Sequence, residues 1–443
     1  MPSVLFCDID LINAKGWHMP HAYVGVRDGR IDYVGSNDPT ALSLEDPSHR
    51  TPYAQRYDGR GKLLMPGLYN AHSHVPMTLL RGLGENLPLD RWLNEAIFPV
   101  EAHITDDDAY WATQVGIAEM LRFGVVSCTD MYLNSEPRAK ATIESGFKCN
   151  VGHSVMDFDP DITYDRLPES KKNQELLKAF HGAADGRVLI DFNLHAEYTS
   201  TPQVARGLAQ AAKEMGVRMQ VHVSETAAEV EGCKERHNGM TPVEYMLDCG
   251  VFDVPATAAH CVWVNDNDRR ILSEKGVFVA TCPASNAKLG SGVADVIALC
   301  KAGITVTLGS DGVASNNNHN MFKDMYLLAL MQRAHEHTPL GLSSADIIEM
   351  ATRNGALSQG RKDCGDVVVG NRADLIVLDI DTPWMTPDTD LPGALIYSAQ
   401  GSDVVLTMVD GEVLYRNGEY LTIDVERAMA NLKESRARIL TEL

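Results

Sequence analysis

Leu68-Tyr69-Asn70-Ala71-His72-Ser73-His74 closes an apolar run with two histidines two positions apart. Along an extended strand, alternate residues face the same side, so both imidazoles can be aimed at one point. Imidazole is the usual nitrogen ligand of zinc, iron and related metals, and one ion at that point serves both rings. Two polar residues in a loop are the plainer reading, and other parts of the chain have to supply further ligands.

Seven more strand-like runs follow, separated by helical segments: Val125 to Asp130, Asn150 to His153, Val188 to His195, Met219 to His222, Ala256 to His260, Val277 to Cys282 and Thr305 to Asp311. The helices between them carry start and stop signals. Thr241-Pro242-Val243-Glu244 sets a cap, a first-turn proline and a capping-box glutamate before a helix that stops at Gly250. Thr105 followed by three aspartates, and Thr201-Pro202, open two others. Eight such units predict an α/β fold, a (β/α)8 TIM-type barrel over residues 66–365, whose buried strands read as near-continuous apolar runs. A doubly wound open sheet is the competing topology, but its Gly-x-Gly-x-x-Gly fingerprint is absent.

The two ends of the chain have another character. Residues 1–65 and 366–443 hold alternating strand patterns, among them Tyr23 to Val34, broken by an Asp28-Gly29 turn, and Ala373 to Leu378. They predict a small β-sandwich domain composed from both termini, with a closing helix from Val425 to Leu443. A formal net charge of -21, with no basic cluster to offset it, argues against nucleic-acid and membrane partners and for a small neutral or cationic substrate. No apolar run approaches the ~20 residues of a membrane span. Nine scattered cysteines without a Cys-x-x-Cys pair read as reduced thiols, and with no leader the cytoplasm is the expected location. Assembly into a homo-oligomer stays open.

In such a barrel the active site lies at the C-terminal ends of the strands. Those ends carry His72 and His74, His195, His222 with Glu225 just beyond, His260 and Asp311. Three imidazoles and a carboxylate suit a catalytic divalent metal that keeps a position open for water, so His72, His74, His222 and Asp311 are the expected ligands. One ion is expected, zinc first, with iron or manganese as alternatives. The pKa of its bound water falls toward ~7. Asp311 receives the proton, His260 orients the water and stabilises the oxyanion, and Glu225 carries a proton to the substrate. Cys282 reads as packing and Asp130 as a brace behind a ligand. His18, His21, His49, His181, His237, His319, His335 and His337 read as surface or structural residues.

With these residues in place, the chain resembles the amidohydrolase superfamily along essentially its whole length. Pro66 to His74, Val221 to Thr226, Ala259-His260-Cys261 and Leu308 to Gly312 carry the resemblance. His195 stands where binuclear members hold a bridging lysine, which implies a single metal. Met77 to Gly82, Asn86 to Leu93, Pro283 to Leu289 and Ala314 to Asn317 are similar to the 5-methylthioadenosine and S-adenosylhomocysteine deaminases. The resemblance implies hydrolytic deamination of an adenine nucleoside (5-methylthioadenosine, adenosine, 5-deoxyadenosine or S-adenosylhomocysteine) to the inosine analogue and ammonia. It also implies that Glu101 grips the ribose hydroxyls, and that His195 and Glu225 contact the nucleoside. Two departures favour a smaller nucleoside over S-adenosylhomocysteine: Lys148 near the expected carboxylate-binding arginine, and Glu197 where proline is common. Other outcomes are removal of an amino or halide group from guanine, a pterin or an s-triazine, and a catalytically silent assembly protein.

Overall fold

The strand Leu68–His74 is buried at every residue because it is paired on both edges, with Val125–Tyr132 on one side and Asp311–Gly312 on the other. In this computed structural model, which describes residues 3–40 and 52–443, it is the first of eight parallel barrel strands. Val125–Tyr132 and Lys148–Val155 follow, then a fourth strand in two segments, Val188–Ile190 and Phe192–Leu194. Met219–Val223, Ala256–His260 and Phe278–Thr281 are the fifth to seventh, and Val306–Leu308 with Asp311–Gly312 make the eighth. The first half of the eighth strand pairs with the seventh and its second half with the first, so the ring closes across Gly309-Ser310. A Cβ at Gly309 would lie 2.9 Å from His72 Cβ and 3.0 Å from Cys282 Sγ, so closure there requires glycine. The (β/α)8 barrel anticipated from the alternating segments is the fold observed.

Its helices begin where the capping residues stand. The side chains of Thr105, Thr201 and Thr241 each accept a backbone N–H three residues on, satisfying a donor the helix cannot. The helix Pro242–Asp248 gives way at Gly250, whose φ of 79° is left-handed.

Strands from both termini form a separate nine-stranded sheet. Its Asp28-Gly29 hairpin turn has φ of 48° and 77°, as a two-residue turn of that hand requires. Phe6, Ile9, Val24, Leu375, Val377 and Met408 pack a small core against it. Central to the sheet is Lys62–Pro66, from which the chain passes directly into the first barrel strand. The C-terminal helix Val425–Glu442 lies against Asp106–Arg122, and Arg436 Nη1 donates to the carbonyls of Leu79 (2.9 Å) and Arg81 (2.8 Å). All nine cysteines are free thiols. No helix among the described residues is long and apolar enough to cross a membrane. His49 lies outside the described residues.

Lys148 departs from the reading that placed it near a substrate carboxylate. It begins the third strand, at the end of the barrel away from the histidine rim, and is 1% exposed. Its Nζ donates to Asp374 Oδ1 at 2.7 Å and lies 2.6 Å from Asp410 Oδ1, tying the barrel floor to the terminal sheet. Removing one partner of a buried ionic cluster leaves uncompensated charge. Lys148→Met is therefore expected to lower stability by about 3–5 kcal/mol, read as a shift in the urea midpoint. An unchanged midpoint would show that the cluster contributes nothing.

Candidate active site

Four imidazoles meet at the C-terminal end of the barrel, and each is aimed by a bond on its outer nitrogen. His72 Nδ1 donates to Gln220 Oε1 (3.1 Å), and His222 Nδ1 to the His195 carbonyl (2.7 Å). His260 Nδ1 donates to Asn286 Oδ1 (2.8 Å), and His74 Nδ1 to the Met131 carbonyl. The Gln220 amide is itself oriented, donating through Nε2 to the Ala71 carbonyl at 2.9 Å. With the ring proton committed outward, each Nε2 turns a lone pair inward.

Those lone pairs crowd one another. Nε2 of His74 and His222 are 3.2 Å apart, and Asp311 Oδ1 is 3.1 Å from His74 Nε2 and 3.4 Å from His72 Nε2. His72 Nε2 is buried without a hydrogen-bond partner among the described residues. Donor atoms so arranged repel unless a cation stands between them, and three neutral imidazoles with a carboxylate match a catalytic divalent centre. The residues present thus fit a divalent ion. His260 is close enough to join: His72, His222 and His260 form one group with ligand atoms within 4.8 Å of one another, and His72, His74 and Asp311 form another.

Surrounding groups hold the cradle in strained backbone. Ser224, His260, Cys261 and Asp311 have φ of 53°, 72°, 48° and 60°, a region non-glycine residues rarely occupy. Asp311 Oδ2 accepts from Ser285 Oγ (2.5 Å) and Ser315 Oγ (2.9 Å), leaving Oδ1 for the rings. Burial alone would raise the Asp311 carboxyl, yet the His72 and His74 nitrogens hold it well below the usual carboxylate range. The Glu229 carboxylate accepts the backbone N–H groups of Ser224 (2.8 Å) and Glu225 (2.6 Å), shaping the turn that lifts Glu225. Asp130 accepts from the Val75 N–H at 2.8 Å and from the fully buried Arg138 at 2.6 Å, bracing the chain just past His74.

Above the cradle lies a partly open cavity. His74, His222, Glu225, His260 and Asp311 line its floor, and Glu101 and His195 line it as well, with Trp92 and Phe98. Glu225 Oε1 accepts from Ser291 Oγ at 3.0 Å, and its Oε2 is 3.7 Å from His260 Nε2. Burial, then the charge of Asp311, pushes the Glu225 carboxyl up to about 8. Burial also raises Glu101. It lowers His195 to about 3, helped by the rings of His74 and His72.

Other residues singled out in the sequence lie elsewhere. Glu197 is bound outside the cavity by Arg236 (2.9 and 2.6 Å) and His237 (2.7 Å). Cys282 is buried, and burial pushes its thiol well up, which suits packing. His319 is buried and structural, its Nδ1 2.9 Å from Ser310 Oγ. Gln220 and Ser291 escaped the reading of the sequence, and Ser285, Asn286 and Ser315 stood there only within family-like segments, because no local spacing marks a residue that orients another. Glu229 was legible, since Thr226-x-x-Glu229 is a capping box.

A sequence model described as the amidohydrolase family matches residues 63–414. The chain belongs to the amidohydrolase family. A 5-methylthioadenosine/S-adenosylhomocysteine deaminase of Acetivibrio thermocellus is 38% identical over 443 residues, covering 99% of this chain and 100% of the relative. A 5'-deoxyadenosine deaminase of Methanothermobacter thermautotrophicus is 40% identical over 384 residues, 87% of this chain and 89% of its own. The structure is similar to an adenosine deaminase from Xanthomonas campestris with bound zinc, with a TM-score of 0.91, 29% identity and coverage of 99% and 98% of the two chains.

For this amidohydrolase, Gln220→Ala removes the acceptor that sets the His72 tautomer without touching a donor atom of the cradle. Loss of such a partner is expected to weaken metal affinity about 10- to 100-fold, measured by chelator competition. Unchanged affinity would show that Gln220 does not aim the ring.

Proposed function

We propose that this chain hydrolytically deaminates adenine nucleosides with a small neutral 5'-substituent, giving the inosine analogue and ammonia. The observation that carries the reading is Glu101. It is a buried carboxylate without a cationic partner among the described residues, lining the same cavity as the histidine cradle. A carboxylate there is matched by two vicinal hydroxyls, which a ribose offers and a free base or triazine does not. Relatives named as nucleoside deaminases over most of the chain support the same reading. Among the described residues no lysine or arginine lines the cavity, which disfavours a substrate carrying the free carboxylate of S-adenosylhomocysteine.

His72, His74, His222 and Asp311 would hold one divalent ion, with zinc favoured by the nitrogen-rich donor set. Such an ion, when bound, supplies a water ionised near neutral pH. Asp311 Oδ1, facing the cradle, is the acceptor for that water's proton. His260, held by Asn286, accepts a hydrogen bond from that water through its free Nε2 and aims the oxygen at C6 of the purine. Glu225, held by Ser291, gives a proton to the adjacent ring nitrogen; the proton taken by Asp311 passes to the C6 amine, which leaves as ammonia, and the hydroxyl left on C6 returns a proton to Glu225 as it becomes the carbonyl. Glu101 grips the sugar and His195 contacts the nucleoside, together setting C6 over the floor.

Glu225→Gln keeps its shape and loses its proton. It is expected to retain metal and to lose about 10²- to 10⁴-fold in kcat, followed spectrophotometrically on adenosine; turnover like the wild type would remove Glu225 from this role. Across a panel of adenine nucleosides, guanine and cytosine, activity is expected on the nucleosides, with S-adenosylhomocysteine the poorest of them. Activity confined to free bases would sink the ribose role of Glu101.

A further inference from the structure

Two buried hydroxyls in the cavity have no part in the chemistry above. Tyr132, at the end of the second barrel strand, is 3% exposed, and Ser154, next to the end of the third, is 6% exposed. Both line the cavity, and neither hydroxyl has a hydrogen-bond partner among the described residues. The two strands are adjacent and in register, with Tyr132 opposite His153, so Ser154 is one residue further along the neighbouring strand. The wall near them is otherwise apolar, through Phe98, Met131, Leu133 and Met156.

Tyr132 lies beside Glu101. Burial, then the charge of that carboxylate and its pull on the phenol proton, drives the phenol well above the ordinary range; the two groups face each other without reaching the distance and angle of an ordinary hydrogen bond. A buried hydroxyl left unpaired is disfavoured, and native structures rarely keep one without a reason. Binding pockets, by contrast, place a few polar groups on an apolar wall to fix a ligand's orientation. The chemistry is also complementary. A sugar hydroxyl that donates its proton to Glu101 still carries lone pairs, and an O–H donor beside Glu101 can bond to them.

We propose that Tyr132 and Ser154 are specificity-determining residues that hydrogen-bond the sugar hydroxyl oxygens of the substrate, extending the grip of Glu101 across the ends of the second and third barrel strands. This rests on the adenine-nucleoside reading and adds to it: the sugar is recognised by two neutral hydroxyls as well as by one carboxylate. Neither hydroxyl offers the charge that a 5'-linked carboxylate needs, so the pair selects for the sugar itself.

Tyr132→Phe and Ser154→Ala each delete one oxygen, and the metal content of the purified variants reports whether the cradle has folded. kcat/KM is measured for the wild type and both variants on adenosine and on its 2'-, 3'- and 5'-deoxy analogues. Each variant is expected to lose about tenfold on adenosine, and to stop distinguishing adenosine from the analogue that lacks the oxygen it binds. An equal loss on all four substrates would mark the residue as structural, and no loss would mark it as idle; either result overturns the proposal while wild-type turnover stands. Failure of the metal-loaded wild type to deaminate any of the four removes the nucleoside reading, and this inference with it.

Discussion

A neutral imidazole has one ring proton, and the group that receives it decides where the ring's lone pair points. The whole site depends on that constraint being met four times. The protons of His72, His74, His222 and His260 go to Gln220, Met131, His195 and Asn286. None of these acceptors shares a strand with the ring it aims: first-strand histidines are set from the fifth and second strands, the fifth-strand histidine from the end of the fourth, and His260 from beyond the seventh. A converging cradle therefore exists only when the ring of strands is closed. Closure in turn passes through Gly309, the one position where the eighth strand crosses His72 and Cys282 with no room for a side chain.

Holding like groups together has a cost that the surrounding structure offsets. Strained φ values at Ser224, His260, Cys261 and Asp311 are each worth on the order of 1–3 kcal/mol. The bonds from Glu229 to the Ser224–Glu225 backbone, and from Ser285 and Ser315 to Asp311, hold that backbone in place. At the opposite end of the barrel, Lys148 between Asp374 and Asp410 couples the floor to the terminal sheet, which both chain ends build. The sheet is thus part of the barrel's foundation, although none of its described residues lines the cavity.

The cavity has a division of labour. Its floor is densely charged and set by buried partners, whereas its walls are apolar with a few isolated polar groups, among them Glu101, Tyr132 and Ser154. On the proposed reading, chemistry belongs to the first and recognition to the second. A substrate that satisfies the wall would be brought with its reacting carbon against the floor, displacing water from both.

Much of this was legible in the order of residues. The eight strands, the capped helices, the hairpin at Asp28-Gly29 and the histidines and aspartate at the strand ends follow from period, turn chemistry and position within a repeating unit, which are local properties of the chain. Lys148 and Glu197 show where such reading stops. Both sit in segments that reach the rim, and both turn to buried ionic partners, Asp374 and Asp410 for one and Arg236 and His237 for the other, that are distant in sequence or on another element. The sequence by itself determined the barrel and the set of groups able to bind a metal, because both rest on spacing within single strands. Only the tertiary structure decided which side chains face the cavity, which nitrogen of each histidine is free, and which hydroxyls stay unpaired, because each of these depends on a partner brought in from another part of the chain.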